Sequence, residues 1–161
     1  MKTKLVKSIM APLVVAFALL PMVAAPATSP SMEGGKLQGT WEMQITLNDC
    51  SGHVIRSFPS LIEFVAGGTV VESNAGTPQA LKTPGEGDWS HTTDHTYAFR
   101  LKSFNFNAQN VYTGWTIIAG ELTVDKTGDA FAGPATVKVY DPNGVLLATL
   151  CADAAGTRFE L

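Results

Sequence analysis

Apolar and polar side chains alternate without a break over residues 37–48, and no other feature limits the fold so sharply. Leu37, Gly39, Trp41, Met43, Ile45 and Leu47 take the odd positions; Gln38, Thr40, Glu42, Gln44, Thr46 and Asn48 take the even ones. Successive side chains of a strand point to opposite faces, so the pattern makes one face apolar and the other wet. A helix would scatter the same residues around its circumference. The segment reads as a half-buried strand, and it needs an interior to face.

The rest of the chain can supply one. Strand-like runs at 58–65 and 69–73 flank Gly67-Gly68, a hairpin signal. Runs at 88–92 and 96–106 flank Thr93-Asp94-His95, and 111–124 follows Gln109-Asn110, with Gly120 marking a bulge or bend. The last two, 131–140 and 145–161, follow Thr127-Gly128-Asp129 and Asp141-Pro142-Asn143-Gly144. Eight strands joined mostly by short turns, with no convincing helix, favour an antiparallel meander over a parallel α/β sheet. Tyr97, Phe99 and Leu101 share a face that Phe104 and Phe106 leave, which predicts a bulge near Lys102-Ser103. Residues 75–87 form the one long connection, with five Gly or Pro in 13 residues. Loops of that length with no structure of their own are uncommon and often functional; a plain solvent-exposed crossover is the alternative.

The first 27 residues stand apart. Lys2, Lys4 and Lys7 precede an apolar run over 9–20 interrupted by Pro12, and Ala25-Pro26-Ala27 offers a small-x-small cleavage pattern. These features predict a cleavable signal peptide over 1–27, export to the periplasm or the exterior, a linker over 28–36, and one β domain over 37–161. The apolar run falls short of the roughly 20 residues that span a bilayer, so no stable membrane insertion is expected. With the three leader lysines removed, 8 basic residues face 14 acidic ones, a balance of −6 over 134 residues. No basic run follows Lys7, and phosphate binding needs clustered cations, so no nucleic-acid partner is expected.

Two cysteines remain, Cys50 and Cys151. In an exported chain an even count reads first as a disulfide, with two buried thiols as the alternative. The bridge would join the first strand to the last. Opposed residues of an antiparallel pair have numbers of roughly constant sum, and Cys50 with Cys151 agrees to within two with Trp41 opposite Phe159 or Arg158. One register therefore serves both ends, with a bulge somewhere over 152–156 to absorb the slip. Closure removes the open edges of an eight-stranded meander. The expected fold is an all-β, eight-stranded antiparallel up-and-down barrel, with a β-sandwich as the alternative.

Gly39-Thr40-Trp41 on the first strand, with Arg158 on the last, resembles the signature of lipocalins and the wider calycin group. The resemblance implies a lipocalin-like barrel in which Trp41 sits at the closed end and Arg158 packs over it as structural residues. A guanidinium over an indole face is worth about 0.5–2 kcal/mol.

Chemistry is thin by comparison. His91, Asp94 and His95 form the densest polar cluster, but i and i+4 side chains on a strand lie about 13 Å apart, and Asp94 reads more simply as a turn residue. No metal and no other cofactor is expected. There is no G-x-S-x-G elbow, and no catalytic residue is assigned. Glu63 and Glu121 follow the outward phase. Glu72 is uncertain in phase; pointing inward it would be a carboxylate in an apolar setting and a candidate acid or base. Trp89, Tyr97, Phe99, Trp115 and Phe131 are the candidate ligand-binding residues, with Leu81 on the 75–87 loop that would gate the mouth. An eight-stranded interior is just wide enough to be filled by side chains or to hold one small ligand, and the sequence leaves both open. The expected partner is a small apolar or amphipathic molecule. The alternatives are a barrel enzyme of the allene oxide cyclase or dirigent type, by fold analogy alone, and a structural module with a filled core.

Overall fold

The computed structural model describes residues 35–160; the expected leader and residues 28–34 of the linker lie outside them. The elements are β1 (Gly39–Asn48), β2 (Val54–Phe64), β3 (Thr69–Asn74), a single 3-10 turn (Gln79–Leu81), β4 (Gly85–Thr93), β5 (Thr96–Phe106), β6 (Tyr112–Val124), β7 (Ala130–Tyr140) and β8 (Leu146–Arg158). The strands run in chain order around a closed antiparallel barrel, with β8 paired to β1. That disposes of the sandwich.

At the seam, Trp41 stands opposite Arg158 and Asn48 opposite Cys151, in one register throughout. The bulge expected over 152–156 is therefore not there. The slip is taken up outside the ladder, where Cys50 follows the end of β1 with φ at 64° and meets Cys151 in a disulfide. Cys151 lies between the inward Leu150 and Ala152, so the bridge sits on the outer wall.

Three of the four turns at the Cys50 end of the barrel share one design. Asp49, Asn107 and Asp141 each accept, through the side-chain oxygen, the amides two and four residues ahead. Each also donates its own amide to the carbonyl four residues on. The residue before that carbonyl is left-handed in every case, Gly52, Asn110 or Gly144. Asx side chains mimic the backbone in this way, and Gly and Asn bear a positive φ at least cost. In the β6–β7 turn, at the other end, Asp125 plays a related part: its side-chain oxygen accepts the amides of Gly128 and Asp129, and its own amide donates to the Ala130 carbonyl. The Ser51 amide holds the Asp49 carboxyl below its usual value, and the Thr127 hydroxyl does so for Asp125.

Elsewhere the strands correct several expectations. The β5–β6 register is unbroken from Thr96 to Asn105 and shifts only at Phe106, so the bulge expected near Lys102-Ser103 lies further on. Ser103 points inward and Phe104 outward, beneath the Lys102 ammonium. Gly120 marks no bulge either: the β6–β7 register is constant, and a Cβ there would sit 2.3 Å from the Pro134 carbonyl oxygen. The glycine permits close approach of two backbones. β2 starts at Val54 rather than 58, and β4 at Gly85 rather than 88, which trims the long connection to residues 75–84.

One end of the barrel is sealed with aromatic rings. Trp41 is fully buried and packs edge-on against Phe131 at 4.9 Å; Phe64 meets both Phe131 and Trp89, and Trp89 meets Tyr97. Leu37, just ahead of β1, closes this end from outside the strands and accepts the Trp41 indole N–H at 2.7 Å. The indole of Trp89 donates to the Val65 carbonyl. Each indole thus buries its ring while its polar edge is bonded.

Candidate functional site

Above the aromatic floor the barrel is hollow, with a cavity of about 370 Å³ reaching the opposite end. The hollow follows from small side chains in register. Ala135 faces Ala152 across β7–β8, Gly133 faces Ala154, and these two alanines of β8 face Leu47 and Ile45 of β1. One layer lower, Phe131 fills the space over Gly156, where a Cβ would stand 2.6 Å from its ring. Phe131 opposite Gly156 makes the floor; small residues opposite one another, Gly133 with Ala154 and Ala135 with Ala152, make the void.

The cavity has two unlike walls. Met43, Ile45 and Leu47 from β1, Val137 and Val139 from β7 and Leu150 from β8 form an apolar side. Across from it, β2, β3, β5 and the connecting loop present Arg56, Glu72, Asn74, Lys82 and Asn105. Glu72 is only 5% exposed. Its Oε1 accepts from Ser60 Oγ at 2.9 Å and Asn74 Nδ2 at 2.6 Å, and its Oε2 from Lys82 Nζ at 2.9 Å. The Lys82 side chain is itself 11% exposed. A buried carboxylate persists only with such partners. Gly85 makes room for it: a Cβ there would come 3.2 Å from Oε2 and 2.6 Å from Leu101.

These contacts also fix the loop across the mouth. Asn74 Oδ1 accepts the Gly76 amide, and the Arg56 guanidinium donates to the Gly76 carbonyl while lying 5.2 Å from the Phe58 ring centre. Lys82 holds the other end through Glu72, and Thr83 bonds the Phe104 backbone in both directions. Between these anchors the 3-10 turn carries Leu81 into the cavity wall. Around the same end, the strand starts Val54-Ile55, Val111-Tyr112 and Val145-Leu146-Leu147 are all exposed.

Of the residues that the sequence suggests for ligand contact, Phe99 and Leu81 line the cavity. Trp89, Tyr97 and Phe131 lie below it, packed into the floor. Trp115 faces away from the interior, stacked on Tyr140 at 5.4 Å with the Lys102 ammonium 4.5 Å from its ring centre. Trp41 and Arg158 meet at the sealed end, the guanidinium carbon 4.4 Å from the ring centre. Glu63 and Glu121 point to solvent. His91 is exposed and bonds the Asp94 carbonyl within its own turn, at the sealed end and so remote from Glu72. Among the described residues, no three His, Cys, Asp or Glu side chains converge as a metal site would require.

Sequence reasoning missed the Glu72–Lys82 pair as the polar centre. A signal existed for Glu72. The Gly67-Gly68 hairpin sets Phe64 against Val70 and Ile62 against Glu72, and opposed residues share a face. The inward phase of Ile62 and Phe64 thus carries Glu72 inside. No comparable pattern marks Lys82, which comes from a loop. In comparisons with known proteins, no family model and no curated protein sequence matches this chain.

Proposed function

We propose that this protein is an exported, lipocalin-like barrel that binds one small apolar or amphipathic molecule without transforming it. The observation that carries the reading is a cavity of about 370 Å³, open at one end of a barrel whose other end is sealed. Small-molecule sites typically run from about 300 to 1,000 Å³ and are mostly apolar with a few placed polar groups. An apolar wall facing a short polar one meets that description. The exposed Val, Ile, Leu and Tyr residues around the mouth suit the passage of an amphiphile. Export through a leader over 1–27 fits the Cys50–Cys151 disulfide, since such bonds persist in oxidising compartments. Mass measurement of the exported protein should then give a chain starting at Thr28.

The test is titration of the pure protein with Nile red, a neutral apolar dye. Saturable binding at one site is expected. Replacing Ala152 by Trp should abolish it by filling the void, while the circular dichroism of the barrel persists. No saturable binding by the native protein would overturn the reading.

One observation favours a second reading. The Glu72–Lys82 pair stands on the cavity wall, where it could move a proton on a bound intermediate, as a barrel of the allene oxide cyclase or dirigent type would need. Conversion of a bound molecule that is lost on Glu72→Gln, with binding retained, would favour it over simple carriage.

A further inference from the structure

We infer that the molecule held in this cavity is anionic at one end, an amphiphile of the alkyl carboxylate type, with its charged end at Arg56 and Lys82. This rests on reading the cavity as a binding site. Three charged side chains line it: Arg56, Glu72 and Lys82, two cations and one anion. Without the leader, the chain carries 8 basic and 14 acidic residues, a formal charge of −6. The cavity thus has the opposite sign to the molecule that contains it.

The hydrogen bonds sharpen that imbalance. Both oxygens of Glu72 are occupied, one by Ser60 and Asn74 and the other by Lys82. What is left over is donor capacity. An ammonium has three N–H donors and a guanidinium five. Among the described residues Lys82 spends one on Glu72, and Arg56 spends one on the Gly76 carbonyl. An acceptor-rich group entering here meets unspent donors and a net positive site; an ammonium entering here meets repulsion and a carboxylate already committed. Charge-assisted bonds of this kind are about twice as strong as neutral ones. Low-dielectric walls also focus the field on the cavity mouth.

Position agrees with charge. Arg56 is exposed near the start of β2, at the open end, and Lys82 follows the turn that crosses the mouth. Deeper in, the lining passes to Met43, Leu122, Ala135, Ala152 and Ala154. A chain would lie among these with its ionised end held near water, and neither end would be buried against its nature.

Three probes of one chain length separate the inference from the reading beneath it. Decanoate, decanol and decylamine are each used to displace Nile red from the native protein at neutral pH. Decanoate should compete about tenfold more strongly than decanol, and decylamine more weakly than both. Arg56→Gln should bring decanoate and decanol to near parity, and Arg56→Glu should make decylamine the better competitor. Both changes alter the bond to the Gly76 carbonyl, so unchanged circular dichroism and an unchanged affinity for Nile red are required to verify that the fold and the mouth loop persist in each variant. Equal competition by all three, a preference for the amine, or a decanoate preference untouched in both variants would overturn the inference while leaving a binding cavity. Failure of Nile red and of all three probes to bind would remove both.

Discussion

The Arg158 guanidinium lies 4.4 Å from the centre of the Trp41 ring and donates at the same time to the carbonyls of Lys36, Gln38 and Gly128. One side chain near the end of the fold thereby holds the lead into the first strand, the Trp41 face and the β6–β7 turn. Arg158→Met should cost about 2 kcal/mol, from the lost cation–π contact and charged hydrogen bonds. Arg158→Lys should recover little of it, because an ammonium lacks the planar fork that reaches three carbonyls. Urea unfolding followed by tryptophan emission measures both.

Lys82→Met should destabilise by about 3–5 kcal/mol, since it leaves Glu72 buried without its counter-charge. The double change Glu72→Gln with Lys82→Met should lose much less than the two single losses together. A double-mutant cycle in urea reads this coupling. Independent, additive losses would show that the pair does not act as a unit.

Reducing Cys50–Cys151 should cost about 4–5 kcal/mol, because the bond closes a loop of 101 residues in the unfolded chain. The bond sits on the outer wall, so little packing is lost with it. Unfolding midpoints with and without reductant, and for Cys50→Ser with Cys151→Ser, should agree.

Much of this was legible in the chain and some was not, for a definable reason. Alternation assigns a face, and closure assigns a partner: together they place Trp41 against Arg158 and bring Cys50 to Cys151. Neither assigns height along the barrel. Trp89, Tyr97 and Phe131 are rightly inward, but they lie in the floor because Gly156 receives the Phe131 ring and the void starts only above it. Trp115 fails differently. Around it β6 is apolar on both faces, with Ile117 and Ala119 on one side and Ile118 and Leu122 on the other, so period two says nothing about direction. Lys82 enters from a loop, where no period exists to read.

Acid should loosen the turns before it touches the apolar interior. Asp49 and Asp125 both titrate below their ordinary value of 3.8 when folded, so their contribution is complete above that pH and is lost as pH falls through the lower folded values. Urea midpoints from about pH 6 to about pH 2 should drop more for the native protein than for Asp49→Asn with Asp125→Asn. Parallel curves would show that these carboxyls contribute nothing to acid sensitivity.

The methyl groups of Ala135, Ala152 and Ala154 decide how much guest the barrel can admit, because they stand where bulkier neighbours would meet across the interior. Capacity is thus set apart from the seam, the staple and the ring-lined base that keep the chain folded. Changing one alanine to valine or glycine would retune the size of acceptable cargo by a carbon or two without redesigning the vessel.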